Sequence, residues 1–163
     1  MKTTTARNIL LILLAFLGLG ALGGGLTFML SPDGALMGMP VSVLDHSPFR
    51  SFLVPGIILF VVLGLVPVGL VFALLKKPTF DGAERLNFYP DMHWSWTYSL
   101  YVAFALIIWI QVQMVIFQAV HWLHTFYMFY AVAILFVAVL PAVRNRYKQE
   151  SAADTAKTAR INA

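Results

Sequence analysis

Four histidines, His46, His93, His121 and His124, are the side chains of this sequence best suited to chemistry. His121 and His124 stand three apart, so on a helix their imidazoles share a face, and a separate segment supplies Asp45 and His46. Three imidazoles and a carboxylate are a suitable donor set for a divalent transition metal such as zinc or copper. The alternative is that these rings lie at a membrane surface beside Trp122 as amphipathic side chains without a ligand. His93, with Asp91, falls elsewhere in the chain. The chain has no cysteine, which removes disulfides, thiolate catalysis, cysteine-ligated zinc and iron–sulfur clusters. A haem between helices would need histidines facing each other from two helices, and the first two apolar segments contain none.

Other polar groups within apolar sequence are few. Gln111 and Gln118 are seven apart and share a helix face, while Gln113 points elsewhere. Such amides can fix packing by bonding across helices, at about 1 kcal/mol or less each, or line a polar seam for a solute. No carboxylate or lysine lies inside an apolar segment, which argues against proton-coupled transport and ion conduction. The groupings Asp33, Asp45 and His46, or Asp91 and His93, are explained by turn chemistry and solvation, so catalysis is not expected. Aromatic residues Trp122, Phe126, Tyr127, Phe129 and Tyr130, with Tyr98, Tyr101, Phe104 and Trp109, suit packing and an interfacial belt. They also suit a hydrophobic ligand such as a quinone or lipid.

The elements that must position these groups follow from composition. Of 163 residues 60% are hydrophobic and 11% charged, with a mean hydropathy of +0.82. An ordinary soluble domain carries about 25% charged residues. No Asp, Glu, Lys or Arg occurs over 8–32, 51–75 or 94–143. A span needs about 20 apolar residues to cross about 30 Å of hydrocarbon, so the first two stretches hold one span each and the third holds two. The sequence therefore predicts an all-α integral membrane protein, a four-helix transmembrane bundle over 1–143. Its spans fall near 8–30, 52–75, 96–117 and 122–143, and a basic tail follows over 144–163. The first span is read as a retained anchor, because its apolar run through Leu30 exceeds the 7–15 residues usual for a signal peptide.

Ten of the eleven cations fall before span one, between spans two and three, or after span four, and only Arg50 falls on the other side. The positive-inside rule then places both termini and the middle loop in the cytoplasm. The net charge of +4 is thus a topology signal and gives no reason to invoke nucleic acid. Residues 91–140 contain neither Gly nor Pro, yet as one helix they would be about 75 Å long, so the chain must reverse. Polar residues Gln118 and His121 mark a tight turn, making spans three and four an antiparallel hairpin.

Ser31-Pro32-Asp33-Gly34 suits a type I turn, and Ser47-Pro48 reads as an N-cap with proline at the first helical position. Pro55-Gly56 and Pro67 are expected to kink span two. The aromatic segment 87–96 is expected along the inner interface, and the tail from Arg144 as a frayed helix or disordered. Small pairs Gly20/Gly24 and Ala21/Gly25 let another helix approach closely, either within the chain or from a partner.

The run Ser31-Pro32-Asp33-Gly34, Gly38-Met39-Pro40, Ser47-Pro48-Phe49, Phe52-Leu53-Val54-Pro55-Gly56 resembles small uncharacterised bacterial four-span membrane proteins with a similar loop between their first two spans. The resemblance covers 31–56, implies a bacterial inner-membrane setting, and transfers no functional residue. The leading expectation is a structural or accessory protein that meets the bilayer and either itself or another membrane protein, with Gly20, Gly24, Ala21, Gly25 and Gln111 in helix packing. It needs no cofactor. The alternative binds a divalent transition metal or a small hydrophobic ligand through Asp45, His46, His121 and His124.

Overall fold

A computed structural model describes residues 3–149. Among them the structure is all helical, without strands, and four helices are long and apolar enough to cross a membrane. These are α1 (Thr3–Leu30), α2 (Leu53–Lys76), α3 (Trp94–Phe117) and α4 (Trp122–Val139). A short helix, α5 (Pro141–Tyr147), follows. Only 28% to 39% of each apolar window is buried inside the protein. The exposed remainder, including Ile12, Phe16, Leu19, Phe104, Ile108 and Phe136, is as apolar as the buried part, which is the pattern of helices solvated by lipid. Neighbours follow chain order around a ring, with α1 beside α2, α2 beside α3, α3 beside α4, and α4 beside α1.

The closest approach in the ring is between α1 and α2. A Cβ placed on Gly25 would lie 2.7 Å from the backbone nitrogen of Phe60 and 2.8 Å from the Gly56 carbonyl oxygen. One on Gly64 would lie 2.8 Å from the Leu22 side chain, and one on Gly18 would lie 2.7 Å from that of Val68. Gly18 and Gly25 are seven apart, so they repeat on one face of α1 with Ala21 between them, and all three are buried. Without side chains at the seam the helices meet through backbone, the usual way that membrane helices gain packing energy where lipid offers no hydrophobic drive. Of the small pairs named from the sequence, Ala21 and Gly25 thus pack inside the chain. Gly20 does not share that seam, since a Cβ there would find only the Tyr127 hydroxyl, at 3.9 Å, while one on Gly24 would lie 3.5 Å from the Leu59 side chain of α2, an ordinary contact at the seam's edge.

The irregularity expected from the prolines of α2 takes the form of a wider coil. Residues Leu59–Leu65 form a π-helical segment, closed by the Val66 N–H bonding back to Val61, before the α-helix resumes. Pro67 cannot donate, and its ring crowds the carbonyl four residues earlier; widening the preceding turns relieves that crowding. Residues 118–121 join α3 to α4, with Gln118 left-handed at φ 51° to end α3 without glycine.

Between α1 and α2 the chain turns where expected. The Gly34 N–H bonds the Ser31 carbonyl at 2.9 Å, and Gly34 sits at φ 77° with its missing Cβ facing the Met39 carbonyl. Ser31 hydroxyl and Ala35 N–H both donate to the Asp33 carboxylate, and together they hold its pKa below the ordinary value. Ser47-Pro48 does not start a helix. The Ser47 hydroxyl donates to the Leu44 carbonyl and accepts from the Phe49 N–H, which folds a local turn, and α2 begins only at Leu53. Phe52 closes the loop, its N–H bonded to the Pro32 carbonyl and its ring stacked on Phe28 at 4.9 Å.

Span four ends earlier than the expected position 143. Leu140 is extended at ψ 135°, and Pro141 opens α5, so the first part of the presumed tail is a docked helix. Tyr147 is fully buried, and its hydroxyl donates to the Leu74 carbonyl at 2.8 Å. The remainder of the basic tail lies outside the described residues. Because the α1–α2 contact at Gly25 involves backbone that cannot yield cheaply, Gly25→Ala is expected to destabilise the fold by about 1–3 kcal/mol. Gly23→Ala, with nothing within 4 Å of the new methyl, should be neutral or stabilising by a few tenths of that. Unfolding titrations in detergent micelles check both.

Candidate functional site

The two ends of the ring differ in how they use polar groups. At the end carrying residues 77–93, polar atoms of the aromatic residues are tied into the protein. Trp94 Nε1 donates to the Pro78 carbonyl at 2.9 Å and Trp96 Nε1 to the Ala138 carbonyl at 2.8 Å. Tyr98, Tyr101 and Tyr147 hydroxyls donate to the carbonyls of Ala83, Leu86 and Leu74. Asn87 bonds Glu84, the Met92 carbonyl and the Thr97 hydroxyl, pinning the 77–93 segment to the start of α3. The chain end joins the same network: Tyr147 accepts from the His93 N–H at 2.8 Å, Asp91 accepts from the Gln149 N–H at 2.8 Å, and Arg144 faces Asp91 at 3.9 Å. Lys77 lies 4.9 Å over the Tyr147 ring. The aromatic segment expected along an interface is tied to the bundle through Asn87, Met92 and Trp94, which close this end as a seal, while Phe88 and Tyr89 stay exposed.

At the opposite end the four spans and the first loop line a half-open chamber of about 560 Å³, which opens to the outside between them. Its size falls in the range of about 300–1,000 Å³ typical of small-molecule sites. Gly20, Ala21 and Gly24 form one wall because they have little or no side chain to fill it, and the π-helical turn contributes Leu59 and Leu63. Met37, Met39, Val43, Leu44 and Phe49 of the loop cover it. No Asp, Glu, Lys or Arg lines it. The polar side chains on its walls are Gln113 on α3 and His121, His124 and Tyr127 around α4, together with the indole of Trp109.

His124 is 5% exposed, and its Nδ1 accepts the His121 backbone N–H at 3.2 Å. That bond satisfies one of the orphan donors at the start of α4 and fixes the neutral ring as the Nε2–H tautomer, so its remaining polar atom is a donor. Among the described residues, no hydrogen bond engages Trp109 Nε1, the Gln113 amide or the Tyr127 hydroxyl. Trp109 and Gln113 are four apart on α3, and His124 and Tyr127 three apart on α4, so each helix presents its pair on one face.

Of the donors expected for a metal, His121 and His124 come together, with ring centroids 5.7 Å apart. Asp45 and His46 are exposed on the first loop and do not line the chamber. Among the described residues no three His, Cys, Asp or Glu side chains gather into a metal-holding group. Gln111 reaches across to α4, 4.0 Å from Met128 Sδ, in a lateral groove of about 380 Å³ that His124 also lines. The residues that reading the sequence missed are Gly18, Gly56 and Gly64 in the seam; Trp109 it named among the aromatic residues suited to a hydrophobic ligand, and Gln113 it named only as pointing away from Gln111 and Gln118. The seven-residue spacing of Gly18 and Gly25 was the available signal for the glycines.

Among the described residues, fold and site together define a helical bundle with four candidate membrane spans and an uncharged chamber at one end. Comparison with protein-family models, curated proteins and solved structures finds no match to this chain.

In the seal, His93 is 9% exposed, its Nδ1 lies 2.8 Å from the Ser95 hydroxyl, and its Nε2 is buried without a partner. Burial pushes its pKa below the ordinary 6.5, against a smaller opposing pull from the Glu84 carboxylate and the Pro78 and Lys77 carbonyls. The folded state thus takes up a proton less readily than the unfolded chain, so stability is full above 6.5 and falls as pH drops from there toward the lower folded pKa. Melting temperatures from about pH 7.5 to about pH 5 should decline, and His93→Asn, which keeps an acceptor for the helix cap, should remove that part of the slope.

Proposed function

We propose that this is a multi-pass bacterial inner-membrane protein that binds an uncharged, lipid-soluble molecule in the chamber and has no catalytic machinery of its own. With ten of eleven cations on one side, both termini and the 77–93 seal are cytoplasmic, spans three and four form an antiparallel hairpin, and the chamber lies in the outer half of the membrane. The observation that carries the reading is a chamber of about 560 Å³ lined from every span without one Asp, Glu, Lys or Arg. A charged ligand would be stranded there without a counter-charge, whereas an apolar one exchanges lipid for protein contacts at little cost. Sealing at the cytoplasmic end argues for binding or presentation rather than conduction.

An environment-sensitive apolar fluorophore added to protein in lipid nanodiscs tests the reading. Wild type should bind it saturably, and Gly20→Phe, which places a ring in the chamber, should weaken binding at least tenfold (about 1.4 kcal/mol) with the melting temperature retained. Gly23→Phe, on an open exposed face, is the control that should change nothing. Equal saturable binding by wild type and Gly20→Phe would contradict the proposal. A reporter fused to the C-terminus should read as cytoplasmic, and a periplasmic signal would overturn the orientation.

A further inference from the structure

We infer that the molecule held in the chamber is headed by carbonyl oxygens, of the kind presented by a quinone with a hydrocarbon tail. The inference rests on the chamber being a binding site and names the class of ligand that its wall recognises.

The argument starts from a contrast in hydrogen bonding. Trp94, Trp96, Tyr98, Tyr101, Tyr130 and Tyr147 each donate an indole N–H or phenol O–H to a backbone carbonyl. Trp109, Gln113 and Tyr127, which line the chamber, make no such bond among the described residues, and neither do the exposed Tyr89 and Trp122 outside it. The three chamber groups are half-buried and open to the cavity, so a molecule seated there meets polar groups that the chain itself leaves free to bond. The bias of the set says what that molecule is. An indole N–H donates only, His124 has its acceptor nitrogen already engaged by the His121 N–H, and a phenol and a primary amide both have protons to give. Donors are in excess, so the ligand supplies acceptors.

Two further features narrow it. The donors stand in pairs on two adjacent helices, Trp109 and Gln113 on α3 and His124 and Tyr127 on α4, which suits a ligand with more than one acceptor oxygen. The chamber is uncharged and carries aromatic rings from Phe28, Phe52, Trp109 and Phe117, which suits a flat neutral ring better than a phosphate or carboxylate head. His124 also borders a separate lateral groove between α3 and α4, with Met114, Met128, Phe129 and Val132, so this apolar surface lies next to the chamber wall. A quinol's hydroxyls can accept from the same donors and give their protons to the Gln113 carbonyl or the Tyr127 oxygen, so the wall sets both redox forms apart from plain hydrocarbon.

The test displaces the bound fluorophore from nanodisc-embedded protein with three decyl-tailed competitors: a decyl benzoquinone, the same molecule kept reduced as the quinol, and decylbenzene. Wild type should favour the quinone and the quinol over decylbenzene by about tenfold, the worth of one or two neutral hydrogen bonds. His124→Leu and Trp109→Phe should each bring the quinone-to-decylbenzene ratio down several-fold toward one. His124→Gln, which restores an N–H near the Nε2 position, should recover part of the ratio. Two variants on different helices keep the test decisive if one folds poorly, with melting temperature as the check. A wild-type ratio near one, or a ratio unchanged in both variants, overturns the inference while leaving the chamber a binding site. Failure of every competitor to displace a fluorophore that does not bind saturably sinks the binding reading itself, and this inference with it.

Discussion

The contact on which the rest of the structure depends is the backbone approach of α1 to α2 at Gly25, Gly56 and Phe60, continued at Gly18, Gly64 and Val68. In lipid the tails surrounding a helix are as apolar as leucine, so helices associate through close van der Waals contact, and glycine is what permits it. Once α1 is held against α2 along this line, its adjacent face, with Gly20 and Gly24, cannot also be in backbone contact with α4. Tyr130 donates to the Leu13 carbonyl at 2.7 Å and ties α4 to α1 nearer the sealed end. Beyond that tie the helices leave room, and the room is the chamber.

The same logic explains why the end carrying residues 77–93 is tightly packed. Leu10, Leu14, Leu70, Leu74, Val143 and Tyr147 are buried at the sealed end, where α5 folds back and its tyrosine inserts beside α2. Indole and phenol donors there find carbonyls left open where α4 ends or on loop backbone, so burying these aromatic donors leaves none of their hydrogen bonds unmet. At the opposite end the first loop lies over the opening with methionines and Phe49, side chains that adapt to an occupant more readily than a packed helix would.

Much of the architecture was legible in the sequence because lipid imposes a simple rule: a charge-free stretch of the right length is a span. Gaps in the positions of eighteen charged residues gave four helices, and Gln118 and His121 marked the break between α3 and α4 without help from Gly or Pro. Proline 67 announced an irregularity in α2, though not that it would take the form of widened turns. Ser47-Pro48 misled, because a serine hydroxyl that can cap a helix can equally fold its own local turn, and here Leu44 and Phe49 engage it first. The basic residues after Val143 suggested a loose tail and hid Tyr147, whose burial depends on a groove beside Leu74 that no local pattern encodes. The chamber was the least legible part. Histidines draw attention as ligands for metals, whereas the wall is made by residues distant in sequence, Gly20, Leu63, Trp109, Gln113 and Tyr127, brought together by the ring order of the helices.

The central claim is that a lipid-soluble molecule resides among the four helices rather than on their outer surface. Photoaffinity labelling in native membranes tests it most directly, using an uncharged diazirine-bearing hydrocarbon probe and peptide mapping of the adducts. The account predicts adducts concentrated on chamber residues such as Leu63, Trp109 and Tyr127 and competed away by excess unlabelled probe. Adducts confined to outward-facing Ile12, Phe104, Ile108 and Phe136, and insensitive to competition, would contradict it.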